Sequence, residues 1–277
     1  MSSNLSIDST SQSRKFWDAC SRLLTVYPER PAGMSGDAEA KQLERRLKEL
    51  ASELLPLLCE NKHWVVEASV GKGNWAAVPW VAFFDSHETT SAQKGVYPVL
   101  HFSCDDFVGV RIGLGIAATA YRGRENEKAA AVWGQLGEQS RQQLSDSGFI
   151  DVVQGSGDRT PIGSGNLAKR YDKGMVFERF AGLEELQSSP DELTATLKAL
   201  LVGYRDWVDQ ESDTADGDVA IDFLTLMREY AEERVVFMSP ARDRRFLSQT
   251  WMIEDARSSD WIRRLANALL HQRIDPS

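Results

Sequence analysis

Apolar residues recur every three or four positions from Ser13 to about Tyr27, so that Phe16, Trp17, Cys20, Leu23 and Leu24 would share one helical face. Pro28 and Pro31 stop that pattern, and the polar, Ser-rich stretch 1–12 before it predicts a frayed, disordered tail. A second helix is expected from Asp37, a candidate N-cap, to about Glu60 through Leu43, Leu47, Leu50, Leu54 and Leu58. Pro56 would bend it or end it early. The period then shortens to two. His63–Val70 alternates, Pro79–Phe84 is a short apolar run, and Val96–Cys104 and Val108–Ile116 read as two further strands with Asp105-Asp106 as their turn. Connections this short exclude crossover helices, so the sheet is expected to be antiparallel.

Beyond it the pattern predicts one polar helix over about 125–146, stopped by Gly148, and a short strand over Phe149–Val153. A glycine-rich loop over Gly155–Gly165, a strand over Met175–Phe180 and a helix from Ser189-Pro190 to about Trp207 complete the unit. The fold class is therefore α+β: a curved antiparallel sheet flanked by helices, spanning 13–207 with its leading helices. An acidic linker over 208–222 then leads to a small C-terminal α/β module or docking segment over 223–277.

Charge refines this picture. The formal net charge is −9, yet seven acidic residues and no basic ones lie between Asp206 and Asp222, and without them the chain carries −2. No strongly basic face suited to purely electrostatic DNA binding is evident, so any nucleic-acid contact has to be local and specific. No apolar run approaches the roughly 18–20 residues of a membrane span, no signal peptide is recognisable, and three scattered Cys fit reduced thiols. A soluble cytoplasmic protein is the expectation. Enzyme chemistry has no motif: there is no P-loop, no dinucleotide fingerprint, no zinc spacing and no nucleophile elbow. Neither a catalytic residue nor a cofactor or metal is expected.

One stretch stands out. Gly71-Lys72-Gly73-Asn74-Trp75 sets two Gly and an Asn around a Lys and a Trp, and Pro79-Trp80 comes after it. Such a loop brings backbone close to a ligand while offering a ring to stack, an amide for hydrogen bonding and a cation for phosphate. The competing reading makes Trp75 and Trp80 core anchors and the glycines a hairpin turn.

The run GKGNWAAVPWVAFFD (71–85), then TTSAQKGVYPVLHFS (89–103), then a strand ending GLG (113–115) resembles the N-terminal DNA-binding domain of the McrB subunit of modified-cytosine restriction systems. The resemblance covers about 60–210, with Lys169–Phe180 and the helix to Trp207 fitting its closing half. It implies a non-enzymatic specificity module of a restriction or phage-defence system that recognises methylated cytosine in duplex DNA by base flipping. By position, Trp80 would be the pocket aromatic, the Gly71–Trp75 loop a second wall, and His101 a lining residue. Two positions depart from the pattern: Lys72 stands where a Tyr would sandwich the base, and His101 where an aliphatic side chain would pack. They favour an alternative, a protein-interaction or regulatory module that has lost base reading. The McrB motor has no counterpart here, which implies a separate motor or nuclease subunit as partner. Arg242, Arg244 and Arg245 are candidate phosphate contacts, or a charged hairpin tip with Asp243.

Overall fold

The computed structural model describes residues 3–30, 39–59, 63–104, 107–155 and 157–210. The chain divides into two compact units at Asp209/Gln210, and the sheet with its helices belongs to the first. The expected C-terminal module, most of the acidic linker, the Asp37 cap, the Asp105-Asp106 turn and the three candidate arginines lie outside the described residues.

Helix α1 (Ser3–Val26) begins ten residues before its apolar stripe, within the stretch 1–12. No Gly or Pro interrupts 3–26, so the helix propagates through the polar stretch. Helix α2 (Glu39–Leu58) buries Leu47, Leu50, Leu54 and Leu58 and continues past Pro56 to its last turn. Six strands match the expected pattern: β1 (Trp64–Ser69), β2 (Trp80–Asp85), β3 (Val96–Ser103), β4 (Gly109–Ile116), β5 (Ile150–Asp151) and β6 (Met175–Gly182). They form one open sheet in the order β1-β2-β3-β4-β6-β5, every neighbour antiparallel.

The single helix expected over 125–146 is two, α3 (Glu125–Gln135) and α4 (Glu138–Asp146), because Leu136 takes an extended conformation ahead of Gly137. Two short helices were not expected: α5 (Asn166–Lys173) and α6 (Leu183–Ser188). Helix α7 (190–210) closes the described chain.

Alternation along the strands gives the sheet two different faces. Val81 and Phe83, Val96, Leu100 and Phe102, and Val110, Ile112 and Leu114 join the main core beneath α1, α2 and α7. Their opposites, including Ala82, Phe84, Tyr97 and Val99, form a smaller cluster with Ala117 and Met175. Polar ties seat α7 on the first face: Tyr204 Oη donates to the Val96 carbonyl at 2.9 Å, and Arg205 Nη1 meets Asp85 Oδ2 at 2.5 Å. Trp17 Nε1 donates to Thr194 Oγ1 at 2.9 Å and so links α1 to α7.

The Asp85 side chain has no exposure, and burial alone would raise its pKa. The His87 backbone N–H, Arg205 and the His87 ring outweigh that and hold the carboxyl below its ordinary value. A lowered folded-state pKa adds stability that is present in full above the unfolded value and is lost as pH falls through the folded one. Arg205→Leu is expected to cost on the order of 3 kcal/mol at neutral pH, by stranding a buried carboxylate. It should also flatten the fall in stability below pH 3.8, the ordinary value. Denaturant melts of both proteins across that range test this; a variant with unchanged stability and acid dependence would exclude the pair as an anchor.

Candidate nucleic-acid interface

The loop joining β1 to β2 is built tightly. Gly71 has φ +124°, and a Cβ there would lie 2.0 Å from the Asn74 carbonyl oxygen, so only glycine fits. Its carbonyl accepts from Lys41 Nζ at 3.2 Å, and the Val70 N–H donates to Glu44 Oε2 at 2.6 Å. Tyr27 Oη donates to the carbonyls of Val70 and Ala76 at 3.2 and 2.5 Å. Helices α1 and α2 thus hold both ends of the loop, leaving Lys72, Gly73 and Asn74 exposed at its tip.

The two tryptophans part company. Trp75 packs against the main core on the helical side, edge-on to Tyr27 with centroids 5.9 Å apart. Trp80 belongs to the other face, half-buried against the small cluster. Of the two readings of Trp75, the ring packs as a buttress for the loop, against a different cluster from Trp80.

Strand register lines up one row on that second face: Ser69, Trp80, His101, Arg111 and Phe180 are successive cross-strand partners. Trp80 and His101, which the sequence points to, are thus direct neighbours. Arg111 extends the row, and sequence reasoning missed it although it is the one charged side chain in the apolar run Val108–Ile116. His101 is 5% exposed and Arg111 1%.

A segment from 159 to 178 closes over this row. Arg111 Nη2 contacts Asp172 Oδ1 at 2.6 Å and donates to the Thr160 carbonyl at 2.7 Å, while its Nε lies 3.4 Å from Glu178 Oε2. Arg159 bridges to Glu178 Oε2 at 2.7 Å and donates to the Asp172 carbonyl at 2.8 Å. Tyr171, from α5, lies flat on His101 with centroids 4.5 Å apart and planes 22° off parallel. Val78, Ile162 and Ala168 pack with that ring in a third small cluster, joining the β1–β2 loop to α5. Burial and the neighbouring Arg111 charge push the His101 pKa down to about 3, so its imidazole is neutral.

Two clefts of about 390 Å³ each meet at Asp172. One runs past Met175, Val152 and Arg159; the other past Ser103, Phe107, Ser164 and Lys169. Among the described residues, no three His, Cys, Asp or Glu side chains gather closely enough to hold a metal ion, and no helix is long and apolar enough to cross a membrane.

Set against known proteins, residues 22–209 match the model of the family described as MrcB-like, N-terminal domain, which is more than half of the chain. No curated protein and no solved structure matches.

Gly71→Ala is expected to cost about 2 kcal/mol or more, from left-handed strain plus the backbone clash. Gly73→Ala, at φ +78° with open space around the added carbon, should cost about 1 kcal/mol. Chemical denaturation of the two variants checks the order; equal costs would mean the loop is not held as described.

Proposed function

Because the chain belongs to the MrcB-like N-terminal domain family, we propose that it reads a modified cytosine in duplex DNA, 5-methylcytosine first among candidates, by flipping the base out of the stack. It is a DNA-binding module of the kind found in McrB-type restriction systems. The observation that carries the finer reading is the place of Trp80: half-buried, on the sheet face that the long helices leave free, beside His101 and at the end of the braced loop.

The energetics suit that placement. Extruding a base costs a few kcal/mol, and stacking on an aromatic side chain returns about 1–3 kcal/mol. Trp80 supplies the ring. Gly71 and Gly73 let backbone approach the nucleotide, Asn74 offers hydrogen bonds, and Lys72 at the exposed tip neutralises a phosphate in place of a second stacking ring. Trp75 acts indirectly, by bracing the loop on Tyr27. Arg242, Arg244 and Arg245 are proposed as further phosphate contacts, and cleavage would fall to a separate motor or nuclease subunit. In this reading the protein recognises DNA and performs no chemistry of its own.

The test is a titration of the purified protein with matched duplexes carrying cytosine, 5-methylcytosine or 5-hydroxymethylcytosine, at low and moderate salt. A preference for one modified duplex that survives the higher salt is expected. Trp80→Ala should weaken that complex at least about tenfold, in line with the cost of a lost stack, with its melting temperature little changed. Salt-sensitive binding equal for all duplexes would reject base reading. No binding at either salt would favour the protein-interaction alternative.

A further inference from the structure

We propose, on the footing of the DNA-binding reading, that the outer surface of α5 and the turn between β4 and α3 form a phosphate track. Through Lys169, Lys173, Arg122 and Arg124 it seats the backbone of the duplex, away from the bases.

Helix α5 is two-sided. Ala168 packs with Val78 and Ile162, Tyr171 lies on His101 and Asp172 meets Arg111, so these three positions hold the helix to the sheet. Lys169 and Lys173 are exposed and one turn apart, about 6 Å along the axis. Lys169 lines the cleft with Ser103 and Phe107, at the end of β3 that also carries His101, the partner of Trp80. Lys173 lines the other cleft, with Asn126 and Ala130 of α3. The helix thus carries its cations from the Trp80 end of the sheet toward α3. Arg170 draws the turn alongside: its Nε meets Glu125 Oε1 at 2.7 Å, while Glu125 Oε2 accepts from the Gly123 N–H at 2.9 Å. Arg122 and Arg124, on either side of Gly123, are exposed.

The charges of this surface are not balanced from within. None of the four cations has an acidic partner among the described residues. The acids close to them are already taken, Glu125 by Arg170 and Asp172 by Arg111, which leaves Glu127 as the one exposed acid in 117–128 and 166–173. On the helical side, by contrast, Arg22 meets Glu39, Arg46 meets Glu49 and Lys48 meets Glu67. Lys169 and Lys173 repel each other as like charges at i,i+4, and Lys169 stands in the first turn of α5, where the helix dipole disfavours a cation. A row of phosphates offsets both costs. Contacts of this kind fix the orientation of a duplex and carry no sequence information. In a chain of net charge −9 they also decide which side of the protein turns to the DNA.

The experiment titrates the full chain with methylated and unmodified duplexes of one sequence over a range of salt. Each phosphate contact contributes about 0.9 to the slope of log affinity against log salt. Lys169→Gln/Lys173→Gln and Arg122→Gln/Arg124→Gln should each lower that slope by about 2. Each should weaken both duplexes by the same factor, with the preference for the modified one and the melting temperature unchanged. Arg14→Gln/Lys15→Gln, at exposed positions of α1, should leave slope and affinity as in the wild type. Slopes that stay the same in the track variants, or fall equally in the α1 control, overturn this inference; a wild type that prefers the modified duplex then leaves base reading standing. A wild type without preference, whose slope falls in the track variants alone, rejects base reading and upholds the track. No binding of either duplex at the lowest salt overturns both.

Discussion

A guanidinium with 1% of its surface exposed, in the middle of an apolar strand, is the constraint that organises the second face of this domain's sheet. Taking that charge out of water costs several kcal/mol unless it is met on nearly every side. Arg111 is met by Asp172, Glu178 and the Thr160 carbonyl, drawn from the glycine-rich loop and the chain that follows it. Arg159 then balances Glu178 and takes the Asp172 carbonyl, so two cations and two carboxylates close a neutral cluster. Gly155 and Gly157, both at positive φ, are positions of this loop that favour glycine. The buried charge therefore decides where α5 sits, and hence that Tyr171 arrives over His101.

The sheet divides its labour between faces because its strands alternate. On β3, Val96, Leu100 and Phe102 enter the main core, while Tyr97, Val99 and His101 turn to the other side. The long helices and their ties (Tyr204 to Val96, Arg205 to Asp85, Trp17 to Thr194) stabilise the first face, which leaves the second free to be lined with rings and charges. The β1–β2 loop spans the two roles. It is fixed from the helical side through Tyr27, Lys41 and Glu44, and it leads directly into Trp80 on the second face. Rigid support on one face is what allows an exposed loop tip to hold its shape on the other.

Most of the strands and the two leading helices were legible from the sequence, since they depend on local periodicity and on breakers such as Pro28. The pairing of Trp80 with His101 was legible only through resemblance; register confirms that they are neighbours. The break at Leu136–Gly137 was not, because Gly134 and Gly137 sit inside an otherwise helical polar pattern that tolerates either outcome. Nor was the role of Trp75, which depends on Tyr27, 48 residues earlier. Tyr171 gave no signal at all: its contact with His101 joins residues 70 apart through a helix too short to show a stripe. Arg111 did leave a trace, as a lone cation among Val, Ile, Leu and Gly. A charge in such a run demands partners, and that demand can be read before the partners are known.

The departures at Lys72 and His101 belong together physically. A loop tip with Lys72 exposes a cation and no ring, so in the proposed reading any stacking would have to come from the sheet face. Tyr171 covers part of that face at His101, and in the proposed base-flipping reading uncovering it would add to the cost. A chain with a net charge of −9 has little general attraction for DNA to offset those costs. In the proposed reading, selectivity would then be by threshold: a base that stacks on Trp80 would recover the cost, and one that does not would be released.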